Sequence, residues 1–223
     1  CPVRLSVRSK AFHALGAGSI PARGTAMPSI ISFDTETYLI APGRLAPPMV
    51  CLSYFDGVRS GLVGKAEGLA LARKWLLDDR AMLGGQNITF DFGVICEADP
   101  ALLPLVFAKL DKGLVWDCQT MSKLVDNAAG HRSFGQDGKP PKYNLAAIVA
   151  RELGEVVTGK GSDAWRYRYR ELEDIPIAQW PTEASEYAIN DAIYAWRAYA
   201  KLNPRMPAKH ATPAGLASQM RAK

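Results

Sequence analysis

Ser29-Ile30-Ile31-Ser32-Phe33-Asp34-Thr35-Glu36-Thr37 is an apolar run that ends in alternating acids. Its β-branched, hydrophobic start predicts a strand over about 29 to 34. Successive side chains of a strand leave opposite faces, so Asp34 and Glu36 share one face while Thr35 points away. Two more acidic patches lie beside apolar runs: Asn87-Ile88-Thr89-Phe90-Asp91 and Tyr187-Ala188-Ile189-Asn190-Asp191. Carboxylates gathered at the rim of a core repel one another unless something positive sits between them, and the usual object is a pair of divalent cations. That combination points to metal-assisted phosphoryl chemistry.

Outward from that stretch, strands are expected at Met49 to Tyr54 and Val58 to Val63, with Asp56-Gly57 as the hairpin signal between them. Lys65 to Leu77 carries a helical period through Leu69, Ala72, Leu76 and Leu77, and a short strand, Ala81 to Gly85, follows. The remainder reads as helices: Phe90 to Glu97, Ala101 to Lys109, Cys118 to Asn127, Leu145 to Leu153 and about Thr182 to Leu202. Three strands joined by hairpins, a helix, a returning strand and then helices imply an α/β fold, a mixed sheet with helices packed on it. Gly130 to Pro141 and Thr158 to Ser162 read as loops.

The 223 residues, 48% of them hydrophobic, suffice for one domain with a well-buried core. The formal charge of +5 suggests a polyanionic partner, but its distribution weakens that inference. Residues 1 to 26 and 201 to 223 contain basic side chains and no acid, which leaves the body between them net negative. Residues 1 to 26 are expected to be a disordered extension upstream of Met27; a transit peptide is the other reading of an Arg-, Ser- and Ala-bearing stretch without acids. The domain is expected over 27 to 203, with a flexible tail over 204 to 223. Cys1, Cys51, Cys96 and Cys118 show no metal-ligand spacing, which suits a reducing compartment such as the cytoplasm. No apolar run approaches the roughly 18 residues of a membrane span.

Tyr187 and Asp191 are four apart on a helix and emerge from one stripe, so a hydroxyl able to orient a water accompanies the acid. Asn87 stands at the start of the helix carrying Asp91, placed to cap it or to make a polar contact near the site. Each patch alone also fits an ordinary role: an exposed strand end, a helix start, a solvated helix face. It is their joint occurrence, in this order and fold context, that argues for a common metal site.

At these residues the chain resembles the DEDD superfamily of 3′-to-5′ exonucleases, whose fold is RNase H-like. Phe33 to Thr37 is similar to the first motif, Asn87 through Phe90-Asp91 to the second, and Tyr187 with Asp191 to the third. Tyrosine rather than histidine before the last acid resembles the tyrosine-type branch, and Asp163-Ala164-Trp165-Arg166 through Trp180-Pro181 resembles the exonuclease domain of bacterial and phage family A DNA polymerases. The chain departs from these in ending about twenty residues after the last motif helix, so it is expected to be a stand-alone exonuclease or a fragment. The resemblance implies an RNase H-like α/β fold with helices on both faces of the sheet. It also implies two Mg²⁺ ions, replaceable by Mn²⁺, held by Asp34, Glu36, Asp91 and Asp191, with Tyr187 orienting the water. The implied activity is release of nucleoside 5′-monophosphates from the 3′ end of single-stranded or frayed DNA, with proofreading for a DNA polymerase in trans as the implied role.

The same resemblance places Thr37 and Ile40 near the terminal nucleotide. Arg132, Lys139, Lys142, Arg151, Lys160, Arg166, Arg168 and Arg170 form the positive region of the body, and Tyr167 and Tyr169 alternate with the last arginines. Arg166 and Arg168 are therefore candidate phosphate contacts beside stacking rings, with a solvated surface as the equal alternative. Asp117 is expected to cap the helix after it. Two other functions stay open at this point: an RNase D-like exoribonuclease, since the motifs are shared, and a noncatalytic nucleic-acid-binding module that keeps the fold.

Overall fold

The computed structural model describes residues 28–130, 141–157 and 165–206. The expected extension at 1–26, the basic residues Arg132, Lys139 and Lys160, the 158–162 loop and the tail beyond 206 lie outside them. Within the described residues, five strands form one mixed sheet: β1 (Ser29–Thr37), β2 (Met49–Phe55), β3 (Ser60–Gly64), β4 (Ala81–Gly85) and β5 (Val115–Asp117). Their order is β3-β2-β1-β4-β5. The three hairpin-linked strands pair antiparallel, whereas β4 and β5 run parallel to β1. The turn between β2 and β3 closes through Asp56, whose Oδ1 accepts from Val58 N–H at 2.9 Å and Arg59 N–H at 2.7 Å.

Among the described residues, six α-helices cover the sheet: α1 (Lys65–Leu77), α2 (Ile88–Ala98), α3 (Leu103–Asp111), α4 (Cys118–Ala128), α5 (Leu145–Leu153) and α6 (Thr182–Leu202). Alternation along the strands divides the core. Ile31 and Phe33 of β1 and Leu83 of β4 pack with Ala72 and Leu76 of α1, Ile88, Phe92 and Ile95 of α2 and Val106 of α3. Met82 of β4 and Trp116 of β5 face the other way, onto Met121, Ile148, Ala198, Tyr199 and Leu202 of α4 to α6. Helices on both faces are thus a direct consequence of period-2 patterning in strands buried on both sides. A side chain such as Phe33, 1% exposed, contributes about 1.5–3 kcal/mol by its burial.

The strand β5 was not expected from sequence, because three residues are too few to display alternation. It can lie flat against β4 because Gly84 has no side chain: a Cβ there would come within 2.1 Å of the Trp116 ring. Among the described residues, no helix is long and apolar enough to cross a membrane.

Candidate metal centre

The site forms where β1 meets α6. Asp34 and Glu36 leave the same face as Ser32, whose hydroxyl donates to the carbonyl of Ala192 at 2.6 Å. One turn further along α6, Trp196 Nε1 donates to the Ile30 carbonyl at 3.1 Å. The helix can approach this closely because Ala184, Ala188, Ala192 and Ala195 form a buried stripe of small side chains on one face. Asp191 is thereby carried to the two strand acids. One carboxylate oxygen from each of Asp34, Glu36 and Asp191 lies within 4.8 Å of the others.

Glu36 is buried and the other two acids are half-buried, so water screens them incompletely. Like charges about 5 Å apart cost roughly 3 kcal/mol per pair at an effective dielectric near 20. Three hard oxygen donors at such spacing fit a divalent cation of the Mg²⁺ or Mn²⁺ type. Beneath them lies Cys51, the cross-strand partner of Glu36. Its burial, and then the charges of Glu36 and Asp34, push the thiol well above its ordinary range, so it remains a protonated core side chain rather than a ligand. A register shift of the β1–β2 ladder falls between Glu36 and Thr37, where bulges commonly re-aim a strand end.

Asp91 is placed differently. It sits in the first turn of α2, 2% exposed, and its Oδ1 accepts from both the Thr35 N–H at 2.8 Å and the Thr35 hydroxyl at 2.7 Å. The Thr35 side chain leaves the face of β1 opposite to Asp34 and Glu36, but its N–H lies in the sheet plane at the edge that β4 leaves beyond Ser32, so Asp91 sits at that edge and is not part of the three-acid group. Burial pushes its carboxyl up to about 7, against the pull of the Thr35 donors and with a smaller contribution from the charge of Asp117.

Asn87 does occupy the N-cap position of α2, but its side chain makes no capping hydrogen bond. It is instead the non-glycine residue with positive φ (58°) among those described, a left-handed turn that Asn tolerates better than most residues. Its N–H donates to Asp117 Oδ1 at 3.3 Å. The same oxygen accepts from the N–H groups of Gln119 at 2.7 Å and Thr120 at 3.1 Å, the cap expected of Asp117. That fully buried carboxylate therefore ties the start of α4 to the turn before α2.

Tyr187 stands one turn before Asp191 on α6, half-buried, its ring 6.3 Å from that of Tyr169. Thr37 donates its hydroxyl to the Tyr38 carbonyl at 2.8 Å, while Ile40 is 76% exposed just beyond β1. The guanidinium of Arg166 lies 4.4 Å from the Tyr167 ring centroid. That of Arg168 lies 4.4 Å from the Trp165 ring and pairs with Glu171 at 2.7 Å. The expectation that Tyr169 offers a stacking surface is corrected: its ring is 0% exposed, closed in by Trp165 and Trp180, so no base can reach it. Sequence reasoning also passed over Ser32 and the alanine stripe of α6, though alanines at 184, 188, 192 and 195 carry the spacing of one helix face.

No protein-family model matches the chain. Its fold is similar to that of the exonuclease (EXO) domain of Aedes aegypti Nibbler, at a TM-score of 0.60 and 15% identity, covering 86% of each chain. It is also similar to Escherichia coli RNase D, an exoribonuclease involved in structured RNA processing, at a TM-score of 0.58 and 19% identity; the match covers 87% of this chain and 44% of RNase D. A third likeness is to Brucella melitensis NrnC bound to pGG, at a TM-score of 0.55 and 20% identity, over 86% of this chain and 79% of NrnC. NrnC has also been solved with bound Mg²⁺. At such identities the likeness establishes the fold: the mixed sheet with its helices is RNase H-like, of the kind these exonuclease domains share.

Proposed function

We propose that the protein is a metal-dependent 3′-to-5′ exonuclease that releases nucleoside 5′-monophosphates from single-stranded nucleic acid. The observation that carries this reading is the convergence of Asp34, Glu36 and Asp191 within 4.8 Å on an exonuclease-type fold. These three acids would hold one divalent ion, and Asp34 with Asp91 a second. Bound there, such ions would lower the pKa of the attacking water and stabilise the leaving 3′ oxygen. Asp91 would offer Oδ2, since Oδ1 already accepts twice from Thr35.

The chain's own part is positional. The phenol of Tyr187, one turn from Asp191, would orient the water for in-line attack, which supports a tyrosine-type reading of the enzyme. Thr37, Ile40 and Asn87 border the end of β1 and the turn before α2, where the terminal nucleotide would lie. Arg166 and Arg168 supply phosphate contacts on the side of α6. DNA, as in proofreading for a separate polymerase in the cytoplasm, is the first substrate reading. RNA is the second, favoured by the structural likeness to RNase D. Matched DNA and RNA oligonucleotides, labelled at either end and incubated with Mg²⁺, test all of this at once. Mononucleotides released stepwise from the 3′ end are expected; a product ladder requiring the opposite polarity, or no release, would sink the reading, and the relative rates decide the sugar.

A further inference from the structure

Tyr169 is a polar side chain with no exposed surface, between the elements that carry the site. It shares a cluster with Val50 and Cys51 of β2 and with Ala184 and Ala188 of α6. Cys51 is the cross-strand partner of Glu36. The Tyr169 ring lies 6.4 Å from Trp165, 6.0 Å from Trp180 and 6.3 Å from Tyr187. A phenylalanine would fill the same space without the cost of burying a hydroxyl, which is repaid only if the oxygen finds a partner. Here the hydroxyl donates to the Ala184 carbonyl at 2.7 Å, in the first turn of α6.

That first turn begins without a side-chain cap. Its N-cap is Pro181, which provides no side-chain cap, and the Pro181 carbonyl accepts from both Ala184 N–H at 3.1 Å and Ser185 N–H at 3.2 Å. Ala184 lies three residues before Tyr187 on the same helix side. A bond that holds Ala184 therefore holds the rotational phase at which the Tyr187 phenol leaves α6, and the Tyr169 ring bounds the space in which that phenol can swing.

We propose that Tyr169 is a positioning residue that acts through Tyr187, holding its hydroxyl in the place where the attacking water is oriented. This rests on the exonuclease reading of the site for its kinetic consequence, though not for its geometric one. The segment Trp165–Leu172 then has a second duty besides bearing arginines: it wedges its one buried tyrosine behind the site.

The test is a double-mutant cycle of Y169F, Y187F and Y169F/Y187F, with circular dichroism and thermal melting of each. On a single-stranded oligonucleotide with Mg²⁺, Y169F is expected to lower kcat about 3- to 10-fold with KM unchanged. In the Y187F background the same change is expected to lower kcat no further, because the group it positions is gone. Multiplicative losses, or a Y169F enzyme with wild-type kcat, would overturn the proposal. A second readout needs no activity: in protein labelled with 3-fluorotyrosine, the Tyr187 fluorine resonance, assigned by its disappearance in Y187F, is expected to shift and broaden in Y169F. An unmoved resonance overturns the proposal as well. Should the wild-type protein degrade neither DNA nor RNA, the exonuclease reading fails, and the fluorine experiment still decides what Tyr169 does.

Discussion

Two sides of one strand handle negative charge in opposite ways. On the α6 side of β1, Asp34 and Glu36 are joined by Asp191 with oxygens within 4.8 Å, a grouping of like charges that suits a cation. On the α2 side, Asp91 is more deeply buried, and its Oδ1 accepts from the N–H and hydroxyl of Thr35, which offset part of the cost of that burial. The residue between the two acids of β1 is thus the one that holds the fourth. Sheet alternation lets a nine-residue strand present a binding edge on one face and a hydrogen-bonded support on the other.

The largest expected effect breaks the first side alone. Asp34→Asn or Asp191→Asn should reduce exonuclease activity roughly a hundred- to a thousandfold, the scale on which loss of a transition-state-stabilising group acts. Because each also removes a repelling charge, neither should lower the melting temperature in chelator. Saturating Mg²⁺ at about a hundred times its Kd should stabilise the wild-type protein by about 2.7 kcal/mol and the variants far less. Activity near wild type in either variant would remove the acids from the mechanism, and equal Mg²⁺ shifts would remove the metal from this face.

Breaking the second side should act on stability first. Thr35→Val keeps the shape and the backbone N–H but deletes the hydroxyl that donates to Asp91 at 2.7 Å. A loss of about 1–3 kcal/mol in urea unfolding is expected, and Thr35→Ser should recover most of it. A Val variant as stable as wild type would mean that Asp91 is held by other means.

The last effect is one of pH. The folded Asp91 carboxyl, pushed up to about 7 from an ordinary value of 3.8, binds its proton more tightly than the unfolded chain does. Its contribution therefore makes the metal-free protein less stable as pH rises from about 4 to about 7, because the native state holds more protons over that window. Asp91→Asn should flatten this part of the stability profile measured in chelator. An unchanged slope would assign the pH dependence elsewhere.

Much of this contrast was legible in the chain itself. The shared face of Asp34 and Glu36 follows from period 2, and the one-turn separation of Tyr187 from Asp191 follows from the helical repeat. The capping role of Asp117 follows from its place before an amphipathic run. The strand β5, three residues long, offered no pattern to read. Asn87 looked like an ordinary cap because a side chain's hydrogen bond depends on backbone φ, and its left-handed 58° is imposed by a turn that Asp117 holds from another strand. The Arg-Tyr alternation from Arg166 to Arg170 suggested an exposed track, whereas Tyr169 turns inward and is closed in by the rings of Trp165 and Trp180.

By itself, then, the sequence determined the strand and helix periods, and with them which acids could share a face. Those are local properties, set by the geometry of two to four successive residues. Only the tertiary structure decided that Asp191 reaches Asp34 and Glu36 while Asp91 answers to Thr35, and that Tyr169 stands behind Tyr187. These depend on how closely an alanine-lined helix approaches β1 and on how α2 meets the same strand, distances that arise from packing between segments 160 and 56 residues apart in the chain.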